Sequence, residues 1–274
     1  MKHLAKAKRV EIISTGGFFS TSADRNIRDV LSETRKLPDH SWNMFYVLQS
    51  LPGMGVSSIF KRIVAENLPI EGGAGDYTSH PVVHIYFPAG SNLLDLCAGI
   101  MGRLNLPRLA PIYTNVPTTR TIRSLELAQT KLLLIDDFTS IISLPMSEKT
   151  RILNFIKSLQ SEANVKVVCA GVPKIWDTIR MDSQLEGRAT QIKLHPLSVK
   201  DGTMLEYLNK FEAWCPLQNQ SNLAQNRNLQ TRLMRQTKGI TRNLTEKLLR
   251  MAVYAVYSDH ECIDQEVWEE VFEA

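Results

Sequence analysis

Lys131-Leu132-Leu133-Leu134-Ile135-Asp136-Asp137 is the stretch on which the reading of this chain turns. Four consecutive apolar residues leave no polar face, so the segment suits a strand covered on both sides, as in a parallel sheet. The run stops on a carboxylate, and the C-terminal edge of such a sheet is where ligands bind. Met44–Ser50, Val82–Phe87 and Val165–Ala170 are similar short apolar runs, and Gln191–Leu194 is a fifth. Between them the spacing predicts helices at Ser57–Asn67, Leu93–Leu104, Thr119–Thr130 and Met146–Ala163. In the last of these Ile152, Ile156 and Leu159 fall on one face. Strands alternating with helices imply an α/β fold with a parallel sheet. From Ser198 onward no strand pattern appears, and helices are expected at 199–213, 226–237, 241–258 and 264–273. Upstream, residues 1–40 read as an extended basic arm with one helix at 21–36. The expected organisation is thus an arm (1–40), an α/β core (41–197) and a small all-α region (198–274).

The link between the first strand and its helix is Ser50-Leu51-Pro52-Gly53-Met54-Gly55-Val56-Ser57-Ser58. A phosphate-binding loop points successive backbone N–H groups and a helix N-terminus at phosphate. A Lys then reaches the outer phosphates and a Ser/Thr hydroxyl meets magnesium. Against Gly-x-x-x-x-Gly-Lys-Ser/Thr, this loop keeps Gly55 and Ser57, has Ser50 in place of the first Gly, and has Val56 in place of the Lys. Alone it is a weak match. Its strand–loop–helix setting, and an Asp136 that follows Gly55 by 81 residues, make Gly53, Gly55, Val56, Ser57, Ser58 and Asp136 the candidate nucleotide-binding set. ATP and Mg2+ would be the cofactors. Ser57 and Asp136 would hold the magnesium, and Asp137 would polarise an attacking water. A carboxylate after a strand is, taken singly, as compatible with a cap or a surface group.

Several segments together resemble the TniB/TnsC family of AAA+ transposition regulators. Leu133-Leu134-Ile135-Asp136-Asp137-Phe138 and the helix carrying Arg151-Ile152-Leu153-Asn154-Phe155-Ile156-Lys157-Ser158-Leu159 resemble the family's Walker B strand and the helix after it. Val168-Cys169-Ala170-Gly171-Val172 resembles its next strand. Asp182-Ser183-Gln184-Leu185-Glu186-Gly187-Arg188 closely resembles its Asp-x-Gln-Leu-x-x-Arg segment. Gly239-Ile240-Thr241-Arg242 and the closing Ile263-Asp264 helix look like its helical lid. The resemblance covers about residues 40–272. It implies an AAA+ P-loop three-layer core with a helical lid, in an ATP-dependent oligomer on DNA that links a target-selecting protein to a DDE transposase. Arg188 would reach a neighbour's nucleotide as a catalytic cation, and Arg242 would be the lid's sensor-like cation.

The departures gather on the γ-phosphate. Val56 carries no charge, Val172 replaces a family Thr, Asp137 is shorter than the usual Glu, and Ser50 stiffens the loop. Losing one electrostatic stabiliser of a transition state costs about 10²–10³ in rate. The expectation is therefore a pseudo-ATPase. An active ATPase that borrows Lys61 or Lys174, and a nucleotide-free adaptor docking an active paralogue, are the alternatives.

The net charge of +4 is unevenly spread. Residues 227–250 hold seven Lys/Arg against one Glu, and residues 259–273 hold seven acids and no base. These blocks can serve separate partners or neutralise each other across the fold. Arg103, Arg108, Arg120 and Arg123 border a Pro-rich loop without an acid between positions 96 and 125, and are the candidates for non-specific DNA phosphate contacts. Lys2, Lys6, Lys8 and Arg9 are compatible with a basic arm on DNA or a partner, or with a disordered terminus. Four scattered cysteines without a Cys-x-x-Cys pair read as reduced thiols of a cytoplasmic protein rather than a zinc site. No apolar run reaches membrane-spanning length.

Overall fold

The computed structural model describes residues 3–36, 45–72, 77–104 and 117–273. The chain divides into two compact units, one comprising Ile27–Pro52 and Val56–Leu194, the other Met1–Asn26, Gly53–Gly55 and His195–Ala274.

The first unit is built on five parallel strands: β1 (Phe45–Ser50), β2 (Val82–Tyr86), β3 (Leu132–Asp136), β4 (Lys166–Gly171) and β5 (Ala189–Leu194), in the order β2-β3-β4-β1-β5. The reason is visible in β3, whose five residues are all buried. With Leu133, Leu134 and Ile135 fully enclosed, each contributes about 1.5–3 kcal/mol of apolar burial, which only a two-sided cover supplies. That cover includes α3 (Val56–Ala65), α4 (Leu93–Leu104), α5 (Pro117–Leu127) and α6 (Met146–Ser161). The apolar faces of α4, α5 and α6 (Ile100, Leu104, Leu125, Ile152, Ile156 and Leu159 among them) join the strands in one core, and α3 buries Ile59, Phe60 and Ile63. Because β1 lies between β4 and β5, the chain must cross over β4 and β3 to reach β2. The C-terminal ends of β1 and β3 therefore flank β4, where a doubly wound sheet opens a ligand crevice.

After β4 come two short helices, α7 (Ile175–Ile179) and α8 (Ser183–Glu186), and after β3 a 3-10 turn (Phe138–Ser143). Pattern reading misses all three, because segments of four to six residues carry less than two turns of periodicity. Strand β5 begins two residues earlier than the expected Gln191. Its exposed flank dilutes the apolar signal.

The second unit is helical: α1 (Lys6–Thr15), the start of α2 (Ser22–Lys36), α9 (Thr203–Trp214), α10 (Arg227–Thr237), α11 (Thr241–Tyr257) and α12 (Gln265–Phe272). Its own core includes Ile13, Phe19, Phe211, Leu233, Leu248, Met251 and Trp268. Here the arm expectation is corrected. Residues 6–15 form a helix, and Arg9, expected on a basic arm, is buried. It meets Glu261 through Nη1 and Nη2, each at 2.6 Å. Lys6 pairs with Asp259. The acidic tail and basic helix meet within the same chain: Arg232 bridges Glu273 at 2.7 Å and Glu269 at 3.5 Å, and Lys247 sits over the Phe272 ring. Arg235 and Lys238 are exposed and have no ion pair among the described residues. Among the described residues no helix is long and apolar enough to cross a membrane.

Candidate functional site

The α/β unit carries the carboxylate end of the site. Asp136 closes β3 opposite Tyr86 of β2, and His84 stands two residues earlier on the same face of the sheet. The Asp136 side chain is 8% exposed, as is that of His84. One carboxylate oxygen, Oδ1, accepts the backbone N–H of Asp137 at 2.9 Å. The other, Oδ2, faces His84 Nε2 at 3.5 Å, and neither of these two atoms has a hydrogen-bond partner within normal range among the described residues. Burial works against the charge on Asp136. The His84 ring, the Ser57 hydroxyl and the Asp137 N–H outweigh it and hold the carboxyl below its ordinary range. Asp136 is thus a buried anion at neutral pH. Ser57 lies in the first turn of α3, and its hydroxyl is one of the groups that favour the charge on that carboxylate. A dication fits this donor set: a full negative charge, a hydroxyl and an unpartnered oxygen.

Asp137 differs in kind. It is exposed, and its backbone is left-handed with φ of 55°. Partial loss of solvent around the carboxyl and the neighbouring Asp136 charge push it up. The turn it opens is pinned by Thr139, whose Oγ1 accepts the Val172 N–H at 3.0 Å. A Cβ on Gly171 would come within 2.8 Å of that oxygen, so a glycine is required at this end of β4. Val172 packs against the core and offers only its backbone. Val56, where a loop cation would stand, is buried.

The motif segments that looked most specific in sequence are joined in space. Asp182 caps α8 by accepting the N–H groups of Gln184 and Leu185, each at 3.0 Å, and also takes Lys157 Nζ from α6 at 2.7 Å. Burial opposes the charge on Asp182, but the Lys157 ammonium and these N–H groups hold its carboxyl low. The clamp fixes the short helix α8, and Arg188 follows two residues after its end. That arginine is exposed and has no ion pair among the described residues.

The helical unit carries the loop glycines. Gly53 has φ of +84° and its carbonyl accepts the Arg242 N–H at 2.9 Å, satisfying a first-turn donor of α11. A Cβ on Gly53 would approach Ile240 Cγ2 at 3.0 Å and Arg242 Cβ at 3.2 Å. Gly55, at φ of +87°, has open space. The Arg242 side chain is exposed.

The DNA candidates separate. Arg103 is exposed at the end of α4, and Arg123 is exposed but bridged to Glu126 at 2.8 Å. Arg120 is half-buried, and its Nε has no hydrogen-bond partner among the described residues. Arg108 lies outside the described residues. Lys61 and Lys174 are both exposed. Sequence reading missed His84, which sits inside a β2 run that reads simply as strand. Only the register with β3 brings it to Asp136.

A family model described as bacterial TniB protein matches residues 9–199, about seven-tenths of the chain. The chain belongs to the TniB family. No curated protein matches it. Among solved structures, the TniB chain is similar to the ORC2 protein of Aeropyrum pernix in its ADPNP–ADP complexes (TM-score 0.61, 12% identity), covering 91% of this chain and 66% of that one. It is also similar to domain III of the replication initiation protein DnaA of Thermotoga maritima (TM-score 0.55, 15% identity, 93% of each chain). A Walker-type ATPase of Pyrococcus abyssi gives a TM-score of 0.57 at 14% identity, over 93% of this chain and 72% of that one. At such identities the likeness establishes the fold: an AAA+ P-loop α/β core with a helical C-terminal region. This TniB chain spans just under two thirds of the ORC2 chain.

Proposed function

We propose that this TniB protein is a nucleotide-gated regulator of DNA transposition that binds ATP with a dication and releases little or no phosphate. The observation that carries the reading is the contrast within one short stretch of site. Asp136 is kept buried and anionic beside Ser57, while the position of the loop cation is filled by buried, apolar Val56. Binding needs a cradle and a counter-charge. Hydrolysis needs cations that act on the γ-phosphate as charge develops there, and each missing one costs about 10²–10³ in rate. In this reading residues 41–197 bind nucleotide through Gly53, Gly55, Val56, Ser57, Ser58 and Asp136, and residues 198–274 act as a lid bearing Arg242. Arg188, presented by the Lys157–Asp182 clamp, meets the nucleotide of a neighbouring subunit. Asp137 orients water in whatever turnover remains.

The oligomer assembles on DNA through phosphate contacts of Arg103, Arg108, Arg120 and Arg123, and links a target-selecting protein to a DDE transposase. Family membership supports that role, and the ORC2 and DnaA likenesses support the nucleotide-binding fold. The test is equilibrium binding of labelled ATP with metal to wild type and Asp136→Ala, with phosphate release followed in the same tube. Binding that depends on Asp136, without release, is the expected result. Brisk Asp136-dependent release would overturn the pseudo-ATPase reading, and its loss in Lys61→Ala or Lys174→Ala would identify a borrowed cation. No binding at all would leave an adaptor whose function lies in its protein and DNA surfaces.

A further inference from the structure

Buried polar atoms without partners are uncommon, and each calls for an explanation. Among the described residues, His84 Nε2 and Asp136 Oδ2 are two such atoms that face one another. Their 3.5 Å separation exceeds the 2.7–3.2 Å of a good N–H···O bond. It is, however, a natural distance between two ligands of one ion: donors each about 2.1 Å from a metal, at about the tetrahedral angle, stand about 3.4 Å apart. The imidazole is held between neighbouring rings. The Phe60 ring meets it edge-on at 5.6 Å and Tyr86 lies against it at 4.9 Å. The register of β2 with β3 fixes His84 on the face of the sheet that Asp136 occupies. The Ser57 hydroxyl attends the same carboxylate.

Magnesium prefers an all-oxygen, largely hydrated shell. An imidazole nitrogen favours first-row transition dications, whose affinities rise along the series toward copper and zinc. We propose that the Asp136 end of β3 is a mixed nitrogen–oxygen dication site, with His84 Nε2 and Asp136 Oδ2 as protein ligands, selecting Mn2+ or Zn2+ over Mg2+. The inference builds on the nucleotide reading, because this ion would stand where that reading places the nucleotide's metal. It concerns the protein's own ligands, so it can be tested without nucleotide.

Mn2+ is titrated into the full chain without ATP, and free ion is read from its paramagnetic resonance signal. One Mn2+ per chain is expected, with nitrogen coupling to the bound ion in the spin-echo spectrum. Zn2+ should displace it readily, and Mg2+ only at concentrations about a hundredfold higher. His84→Phe keeps an aromatic ring between Phe60 and Tyr86 but removes the nitrogen. It should abolish the nitrogen coupling and weaken Mn2+ and Zn2+ by about tenfold or more, the scale at which lost metal-site groups tell. His260, Cys262 and Asp264 also bring their ligand atoms within 4.8 Å of one another, so the titration is repeated with Cys262→Ser, which should change nothing. Wild-type Mn2+ without nitrogen coupling, Mg2+ competing equally, or binding lost in Cys262→Ser but kept in His84→Phe would each overturn the proposal. The coupling is read on wild type, so the result stands even if His84→Phe fails to fold. Asp136-dependent ATP binding with Mg2+ as effective as Mn2+ would sink this inference and leave the nucleotide reading intact. Nitrogen-coupled Mn2+ without ATP binding would do the reverse.

Discussion

Arg9 and Glu261 in the helical unit meet through two bonds of 2.6 Å, and the carboxylate also accepts the Gln218 N–H at 3.3 Å while Arg9 donates to the Pro216 carbonyl. His84 and Asp136 in the α/β unit are comparably buried, yet face one another across 3.5 Å, and among the described residues Nε2 and Oδ2 have no hydrogen-bond partner. The first pair spends its hydrogen-bonding capacity inside the protein, with Arg9 Nε left over, and so ties α1 to the loop before α12. The second withholds capacity at the edge of a sheet, where a ligand can use it. The difference separates a buried charge that holds a fold from one held ready for chemistry.

The sharpest way to break this comparison is Glu261→Ala. It strands a buried guanidinium and should cost about 3–5 kcal/mol in denaturant unfolding. A loss under about 1 kcal/mol would show that the pair is not structural. Replacing both residues, as Arg9→Met with Glu261→Met, should come within about 1 kcal/mol of wild type or better, because no charge is then left alone. The Arg9 hydrogen bond holds the Glu261 carboxyl below its ordinary range against the effect of burial. The pair's stabilisation should therefore be fully present above the unfolded Glu value of about 4.3, and be lost as pH falls through the lower folded value. In the double variant that part of the acid sensitivity should vanish.

Next in size is the loop. Gly53→Ala meets both a positive φ and Ile240 at 3.0 Å, whereas Gly55→Ala meets the positive φ alone. The Gly55 change should cost about 1–2 kcal/mol, the left-handed penalty, and the Gly53 change measurably more. Equal losses would mean that the Ile240 contact yields freely. Smallest should be Asp136→Asn, which removes a charge whose bonds are not all made. Thermal unfolding should place it within about 1 kcal/mol of wild type or above it, as expected where a site trades stability for function. A large loss would move Asp136 into the structural class with Glu261.

How much of this could be read from the chain follows the range of the interactions. The β3 run from Leu132 to Asp136, the α6 stripe of Ile152, Ile156 and Leu159, and the Ser50–Ser57 loop are local patterns, and the structure has strand, helix and turn where they indicate. The Asp182–Arg188 segment was legible as a motif, but not as a clamp, because Lys157 lies on another helix. Arg9 looked like part of a free basic arm since its partner is Glu261, near the other end of the chain. His84 was invisible because nothing in Val82–Phe87 distinguishes a strand histidine that packs from one that faces a carboxylate.

By itself, then, the sequence determined the α/β class, the helical C-terminal region, the family and the loss of the loop cation at Val56, since periodicity, residue type and local spacing suffice for these. Only the tertiary structure decided which charges are spent and which are kept. That depends on strand register and on contacts between segments far apart in the chain, where a difference of less than an ångström in donor–acceptor distance separates a closed bond from a pair of facing atoms that leave their bonding capacity unused.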